Sequence, residues 1–318
     1  MYKGARVAAV VPAFREERHI ATVIETMPDF VDHIVVVDDC SPDGTSAAAV
    51  ATADPRLHLI RHEVNQGVGG AIITAHRAAM ELGADINVVM AGDAQMDPAY
   101  LPALLDPIVD GYGFAKANRF FSGESFAGMP GHRVFGNVAL SFMTKFASGY
   151  WHIFDPQNGY TAIRTEVLRR LPLDKVARRY SFENDLLIHL SILDVPIVDV
   201  PIPAVYGTEV SSIRLRSVVP ELLGLMFRGF WRRVWWKYMV WSFSPVALLL
   251  VTGLVLLVLG LGVGAWLLSV SVGDPSPTAG TVMLAVVPFV LGVQTLLVAL
   301  QLDIQATPNR PTMRQFSP

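Results

Sequence analysis

The chain has 318 residues, of which 52% are hydrophobic and only 17% are charged, and its mean hydropathy is +0.41. Soluble domains carry about 25% charged residues, so this composition excludes a disordered chain and argues against a wholly soluble one. A net charge of −3 gives no sign of a nucleic-acid partner, and the single cysteine, Cys40, excludes an intrachain disulfide.

Short apolar runs alternate with helical patterns in the first hundred residues. The runs at 7–11, 34–37, 57–61 and 86–90 predict strands, and the spacing at 19–26 and 68–82 predicts helices. Strands that alternate with helices predict an α/β fold with a mostly parallel sheet. Such sheets bind ligands beyond the carboxyl ends of their strands.

Oxygen-bearing side chains follow two of these strands. Asp38 and Asp39 follow the second strand, where carboxylates could accept hydrogen bonds from a nucleobase or a ribose. Asp93 and Gln95 follow the fourth and offer the hard oxygen ligands that Mg²⁺ takes. A strong turn signal after the first pair explains it equally well, and Asp97 before a proline also suits a helix cap.

Arginines mark a second group of candidates. Arg119 follows a strand-like segment at 113–117, Arg133 lies in a loop rich in glycine and proline, and Arg214 and Arg216 precede a segment rich in aromatic and basic residues. Arginine binds phosphate through bidentate charge-assisted hydrogen bonds. Each of the four could equally be a solvated surface cation.

The C-terminal part predicts a membrane anchor. Segments 245–270 and 281–302 contain no charged residue and are each long enough to span a bilayer, with a buried hairpin of a soluble core as the alternative. Basic residues lie before the first span and after the second, so we expect both termini to be cytoplasmic. The N-terminus lacks a signal-peptide pattern, so we expect no export.

These features predict four regions and a set of partners. We expect a catalytic domain at 1–216, amphipathic interfacial helices at 217–243, a transmembrane hairpin at 244–302 and a cytoplasmic tail at 303–318. The lipid bilayer is then a partner. Gly253, Gly260 and Gly264 would allow close packing of helices from two protomers, and hence a homo-oligomer.

An ordered set of motifs resembles the family 2 glycosyltransferases of the GT-A type, in the branch of polyprenyl-phosphate or dolichol-phosphate sugar synthases. The resemblance covers roughly residues 5–215. The motifs are VPAFREE at 11–17, VDD at 37–39, NQG at 65–67, GDAQ at 92–95, NRF at 118–120, DPQNGY at 155–160 and SFEND at 181–185.

The resemblance implies roles for particular residues. It implies that a nucleotide-sugar donor binds to Pro12, Phe14, Glu16, Asp38, Asp39, Gly92, Asp93 and Gln95. Asp93 and Gln95 would hold Mg²⁺ or Mn²⁺, and the four arginines would bind donor or lipid phosphates. Asp93, Asp155 and Asp185 are the candidate catalytic residues, with Glu183 nearby. Ala91 departs from the pattern, because many relatives have an acid there, and one metal-binding charge is therefore missing.

The expected reaction is inverting transfer of a hexose from a UDP- or GDP-sugar to polyprenyl phosphate at the cytoplasmic face. A phosphate acceptor is largely ionised at neutral pH and needs little help from a base, so the role of the acids stays open. One alternative is a processive polysaccharide synthase, although the chain lacks a Gln-x-x-Arg-Trp motif and further spans. The other is a nucleotide-sugar-binding membrane scaffold without catalysis, which Ala91 would favour.

Overall fold

The computed structural model describes residues 1–121, 131–203, 215–270 and 278–308, without the side chains of 132–134 and 215–219. Two compact units are present, one containing Met1–Phe230 and the other Trp231–Thr307. Each unit is described by itself below.

The first unit contains a seven-stranded sheet in the order β3-β2-β1-β4-β6-β5-β7. The strands are β1 (Val7–Ala13), β2 (His33–Asp38), β3 (Leu57–Arg61), β4 (Ile86–Val89), β5 (Phe114–Asn118), β6 (Thr161–Arg164) and β7 (Ile197–Pro201). The helices are α1 (Ile20–Glu25), α2 (Thr45–Ala51), α3 (Val68–Glu81), α4 (Leu101–Val109), α5 (Gly131–Ser148), α6 (Thr165–Arg170), α7 (Phe182–Ile192) and α8 (Leu215–Arg233), whose last three residues belong to the second unit.

The sheet is mostly parallel, which confirms the predicted fold class. Strands β3, β2, β1 and β4 pair in parallel, as do β5 and β7, whereas β6 runs antiparallel to both of its neighbours. The sequence did not predict β6 or β7, which have only four and five residues.

Helices cover both faces of the sheet, which explains why the central strands are continuous apolar runs. Val7, Ala9 and Val11 of β1 pack with α1 and α4, while Ala8 and Val10 pack with α3 and α7 on the opposite face. Side chains alternate across a strand, so a strand with both faces covered needs an apolar residue at each position.

The second unit is dominated by two long apolar helices, α9 (Pro245–Val270) and α10 (Ala279–Gln305). Both are long and apolar enough to cross a bilayer, and α9 has the predicted bounds. Only 22% and 17% of the positions in their most apolar windows are buried. A buried core hairpin does not fit these fractions, whereas a membrane anchor does.

Glycines of α9 serve packing within this hairpin. A Cβ atom at Gly253 would lie 2.8 Å from Leu296 Cγ, and one at Gly260 would lie 2.5 Å from the backbone nitrogen of Phe289. These two glycines therefore admit α10 of the same chain. They no longer support our expectation of contacts between protomers, because their close neighbour is intramolecular.

Candidate active site

The carboxyl ends of β1, β2 and β4 meet at one edge of the sheet. The backbone N–H of Asp39 donates to the Ala13 carbonyl at 2.9 Å, and that of Gly92 donates to the Pro12 carbonyl at 3.2 Å. These bonds bring the first motif, the acidic pair and the Asp93 motif together, as the parallel sheet predicted.

A cleft of about 350 Å³ opens at this edge, and we call it the larger cleft. It contains six of the eight residues predicted for the donor: Pro12, Phe14, Glu16, Asp39, Gly92 and Asp93. Asn65, Gly67, Arg179 and Tyr180 also line it, and we did not predict them as site residues. Arg179 and Tyr180 lie just before α7. The adjacent arginines at 178 and 179, directly ahead of the SFEND motif, were the pattern from which a phosphate-binding residue could have been predicted.

Asp38 lies behind the larger cleft and not in its wall. Its carboxylate accepts hydrogen bonds from the Ser41 backbone N–H at 2.8 Å and from the Ser46 hydroxyl, and its side chain is buried. Arg61 lies 3.7 Å away. The turn explanation therefore accounts for Asp38, since its carboxylate holds the segment that leads into α2.

Asp39 shapes the wall of the larger cleft. Its two oxygens accept hydrogen bonds from the backbone N–H groups of Gln66 and Gly67, each at 2.8 Å, and Nδ1 of His62 lies 2.7 Å away. Gly67 has a φ of +87°, which a side chain rarely adopts. The NQG motif is thus a loop that the carboxylate of Asp39 holds against the cleft.

A second cavity of about 160 Å³, the smaller cleft, adjoins the first through Asp93. Asp93 lines both clefts, whereas Gln95 and Arg119 line only the smaller one. Asp97 also lines the smaller cleft, and its carboxylate accepts a hydrogen bond from the Ala99 backbone N–H at 2.8 Å. The capping explanation therefore holds for Asp97.

The donor set around Asp93 fits a divalent cation that takes part of its coordination from a ligand. The carboxylate of Asp93 accepts a hydrogen bond from the Gln95 backbone N–H at 3.0 Å, and both side chains are partly exposed to the cleft. Among the described residues, no three His, Cys, Asp or Glu side chains cluster as a complete metal site. Mg²⁺ is commonly held by one or two carboxylates together with phosphate oxygens, and this arrangement suits it.

Asp155 pairs with Arg119 beside the smaller cleft. Nε and Nη2 of Arg119 each donate to a carboxylate oxygen at 2.7 Å, and the Arg119 backbone N–H donates at 3.1 Å. Burial raises the pKa of Asp155, but the hydrogen bonds and charge of Arg119 outweigh it, and the pKa is lowered overall. Such a carboxylate is a weak proton acceptor.

A buried lysine holds the loop that carries Asp155. Nζ of Lys116 donates to the carbonyls of Phe154 at 2.7 Å and Asp155 at 2.8 Å, and lies 3.1 Å from Oδ1 of Asp199. Burial lowers the pKa of Lys116 and raises that of Asp199. We did not predict this pair, although a lysine inside the apolar strand β5 was a signal.

Asp185 and Glu183 have different surroundings. The carboxylate of Asp185 is buried and accepts a hydrogen bond from the Ala177 backbone N–H at 2.9 Å. It lines neither cleft, so the structure places this predicted catalytic residue beneath the loop that carries Arg179 and Tyr180. Glu183 lies in a narrow crevice with Lys116, and burial raises its pKa to about 7.

Three predicted phosphate ligands cannot be placed. Arg214 lies outside the described residues, and the side chains of Arg133 and Arg216 do as well. Of the four predicted arginines, the structure therefore places Arg119.

Comparison with known proteins identifies the family. Residues 8–171 match the model of the family described as "Glycosyl transferase family 2". A UDP-N-acetylglucosamine–dolichyl-phosphate N-acetylglucosaminyltransferase of Methanococcus voltae is 32% identical over 226 residues, which cover 66% of this chain and 89% of the relative. An undecaprenyl-phosphate mannosyltransferase of Micrococcus luteus is 31% identical, covering 62% of this chain and 82% of the relative.

A further relative and a solved structure agree. A polyprenol monophosphomannose synthase of Mycolicibacterium smegmatis is 30% identical, with 62% of this chain and 76% of the relative covered. The glucosyl-3-phosphoglycerate synthase of Mycobacterium tuberculosis, solved with Mn²⁺ and UDP-glucose, superposes with a TM-score of 0.55 at 25% identity, covering 70% of this chain and 80% of that one. Strands β2–β6 and all of β1 but its first residue lie inside the matched region, as do Asp93 and Asp155.

Proposed function

Because the chain belongs to glycosyl transferase family 2, we propose that it transfers a hexose from a UDP- or GDP-sugar to the phosphate of a polyprenyl phosphate. The three relatives described above are named for dolichyl phosphate, undecaprenyl phosphate or polyprenol, which supports this class of acceptor. The two apolar helices at the C-terminal end suit an enzyme whose acceptor resides in a bilayer.

The observation that carries the proposal is the position of Asp93. This carboxylate lines both clefts, so a donor in the larger cleft and an acceptor phosphate in the smaller one would meet beside it. Holding two reactants at a common point is a major source of rate enhancement.

The larger cleft suits a nucleotide-sugar. Phe14 is exposed there and offers an apolar surface for a base, while Glu16 can accept hydrogen bonds from hydroxyl groups. Arg179 supplies a positive charge for the diphosphate. Asp39 and Asp185 contribute to the donor site indirectly. Asp39 holds the loop that contains Gly67, and Asp185 holds the loop that carries Arg179.

Asp93 and Gln95 would hold Mg²⁺ or Mn²⁺ at the junction of the two clefts. When bound, such a cation neutralises the negative charge that grows on the departing nucleoside diphosphate. Ala91 contributes a methyl group to the wall of the larger cleft where many relatives have a carboxylate.

The reaction needs no protein base. A phosphate oxygen of the acceptor attacks the anomeric carbon of the sugar. The bond between that carbon and the nucleoside diphosphate breaks, and the configuration at the carbon inverts. The second pKa of a phosphomonoester is about 6, so the nucleophile is already largely ionised at neutral pH. The lowered pKa of Asp155 agrees with this, and we assign Asp155 to the orientation of Arg119, which binds the acceptor phosphate.

We further propose that residues 1–216 are the catalytic domain, 217–243 lie at the membrane surface and α9 and α10 span the bilayer with both chain ends in the cytoplasm. Arg228, Arg232 and Lys237 precede the first span, and cationic residues of membrane proteins favour the cytoplasmic side.

Radiolabelled transfer in membranes tests the proposal. We expect label from one UDP- or GDP-sugar to become lipid-extractable when polyprenyl phosphate is added, and Asp93→Ala to abolish this transfer. Asp110→Ala is a matched control, because Asp110 caps the end of α4 and lines neither cleft. Absence of lipid-extractable label with every donor would overturn the proposal, and products longer than one sugar would indicate a processive synthase.

A further inference from the structure

Helix α5 presents an apolar face to the outside of the first unit. Phe135 is 76% exposed, Phe142 60%, Val138 44% and Phe146 42%. Successive members of this set are three or four residues apart, so at 100° per residue they lie within an arc of roughly 80° on one side of the helix. This outward face carries no charged residue among the described side chains of α5.

The inward side of α5 is mixed, because it carries buried hydroxyl groups as well as Ala147, Leu140 and Met143, which pack in an apolar cluster. Ser141, Thr144 and Ser148 are buried, and the Thr144 hydroxyl donates to Oδ1 of Asn184 at 2.8 Å. A helix on the surface of a soluble protein carries polar residues on its outward side, whereas the outward residues of α5 are apolar. The pattern of α5 is thus that of a helix with an apolar medium outside it.

Helix α8 extends this surface. The rings of Phe146 and Phe230 stack with their centroids 4.8 Å apart, and Ala147, Ile188 and Met226 pack in one buried cluster. A Cβ atom at position 229 would lie 2.4 Å from Ile188 Cδ1, so a larger residue there would displace the end of the Ile188 side chain between α8 and α7. Two residues of α8, Leu223 and Phe227, are exposed as well.

We define the α5–α8 surface as six exposed apolar side chains of these two helices: Phe135, Val138, Phe142, Phe146, Leu223 and Phe227. We propose that this surface docks on the lipid bilayer, so that α5, a helix within the catalytic unit, is itself a membrane-contacting element.

The segment that follows α8 in the chain indicates that lipid is what covers the α5–α8 surface. Helix α8 runs into a π-helical segment, Val234–Trp241, in which Trp235, Trp236 and Trp241 are exposed, and the apolar helix α9 begins at Pro245. Tryptophan favours the interface between lipid and water. Only residues 234–244 separate α8 from the membrane-length helix α9, so the chain ties the helix that carries half of this surface closely to a bilayer-length segment.

The proposed membrane contact of α5 adds to the proposed function, and its role in catalysis depends on that function being correct. Helix α5 lies in the chain between Arg119 and Asp155, the pair beside the smaller cleft. A catalytic unit held to lipid through α5 would present that cleft to an acceptor phosphate at the membrane surface.

Spin labelling of the full chain in lipid nanodiscs tests the location of α5. In a Cys40→Ser background, a nitroxide at Phe142→Cys is expected to be relaxed by oxygen, which concentrates in lipid, and shielded from a water-soluble nickel chelate. Val50→Cys on α2, which is also exposed, serves as the aqueous control. Equal accessibility to nickel at the two sites would overturn the proposal, as would spin–spin broadening at 142 that shows a second copy covering the face.

A functional arm separates this inference from the proposed reaction. We expect Phe142→Glu to reduce transfer to a long-chain polyprenyl phosphate in vesicles about tenfold, and to leave transfer to a short, water-soluble isoprenyl phosphate unchanged. Val50→Glu is the matched control. Equal transfer to the vesicle acceptor by both variants would reject the docking, whereas no transfer to either acceptor by the unaltered protein would reject the reaction itself.

Discussion

Arg119 and Asp155 form a bidentate pair beside the smaller cleft, with Nε and Nη2 of the arginine each 2.7 Å from a carboxylate oxygen. The pair joins the end of β5 to the DPQNGY loop. Nζ of Lys116 fixes the same loop by donating hydrogen bonds to the carbonyls of Phe154 and Asp155. Two motifs that are 36 residues apart in sequence therefore act as one unit.

We predict that Asp155→Asn weakens acceptor binding more than turnover. Loss of a charge-assisted hydrogen bond costs about 1.5–3 kcal/mol, so the KM for the acceptor should rise roughly ten- to hundredfold while kcat changes little. Steady-state kinetics with varied acceptor measure this. A large fall in kcat with unchanged KM, together with loss of the acidic limb of the pH profile, would instead identify Asp155 as a general base.

Ala91→Asp should lower the metal concentration needed for activity. The new carboxylate would face the larger cleft beside Gly92 and Asp93, and each added ligand charge strengthens binding of a divalent cation. We expect the concentration of Mn²⁺ at half-maximal activity to fall by about tenfold. Ala91→Asn has nearly the same size without the charge, and an equal effect from it would contradict this explanation.

Lys116→Met should destabilise the first unit strongly. Asp199 would remain buried without its cation, and breaking a buried ion pair costs about 3–5 kcal/mol. Thermal unfolding in detergent measures the loss, and the double variant Lys116→Met with Asp199→Asn should recover much of it because no unpaired charge remains. Lost activity at unchanged stability would show that Lys116 contacts substrate instead.

Glu183 should make stability depend on pH. Burial raises its pKa from 4.5 to about 7, so the neutral form is favoured in the folded state. Its contribution is therefore fully present below pH 4.5 and is lost as the pH rises to 7, because the unfolded chain ionises first. Glu183→Gln should raise stability above pH 7 by about 1–3 kcal/mol.

Melting temperatures of both proteins at pH 5 and pH 8 measure this difference. The variant should gain most at pH 8 and little at pH 5. A constant difference at the two pH values would show that the Glu183 carboxyl does not titrate in this window.

Much of the fold could be read from local patterns. The central strands and the two apolar helices were predicted close to their observed bounds, and the bounds of α9 were predicted without error. Buried strands and membrane-length helices can be predicted because each leaves a periodic or continuous apolar pattern in the sequence. Strands β6 and β7 were missed. Their short segments carry no distinctive period, and their place in the sheet depends on pairing with distant strands.

The candidate site divides in the same way. Position after a strand predicted that the residues of the larger cleft would meet, and six of the eight do. The position of a residue in the sequence could not predict that the Asp38 carboxylate accepts a hydrogen bond from the segment leading into α2, or that Asp185 lies beneath a loop. A carboxylate at a strand end or at a helix start can face the cleft or the chain, and packing alone selects between these directions.

The sequence by itself determined the family motifs, the parallel sheet and the two membrane-length helices, because each is encoded by residues close together in the chain. Only the tertiary structure decided which charges pair and which faces stay uncovered. Lys116 meets Asp199, and the aromatic side of α5 points outward, because of contacts between segments far apart in sequence. Such contacts follow from how whole elements pack, and no local pattern of residues records them.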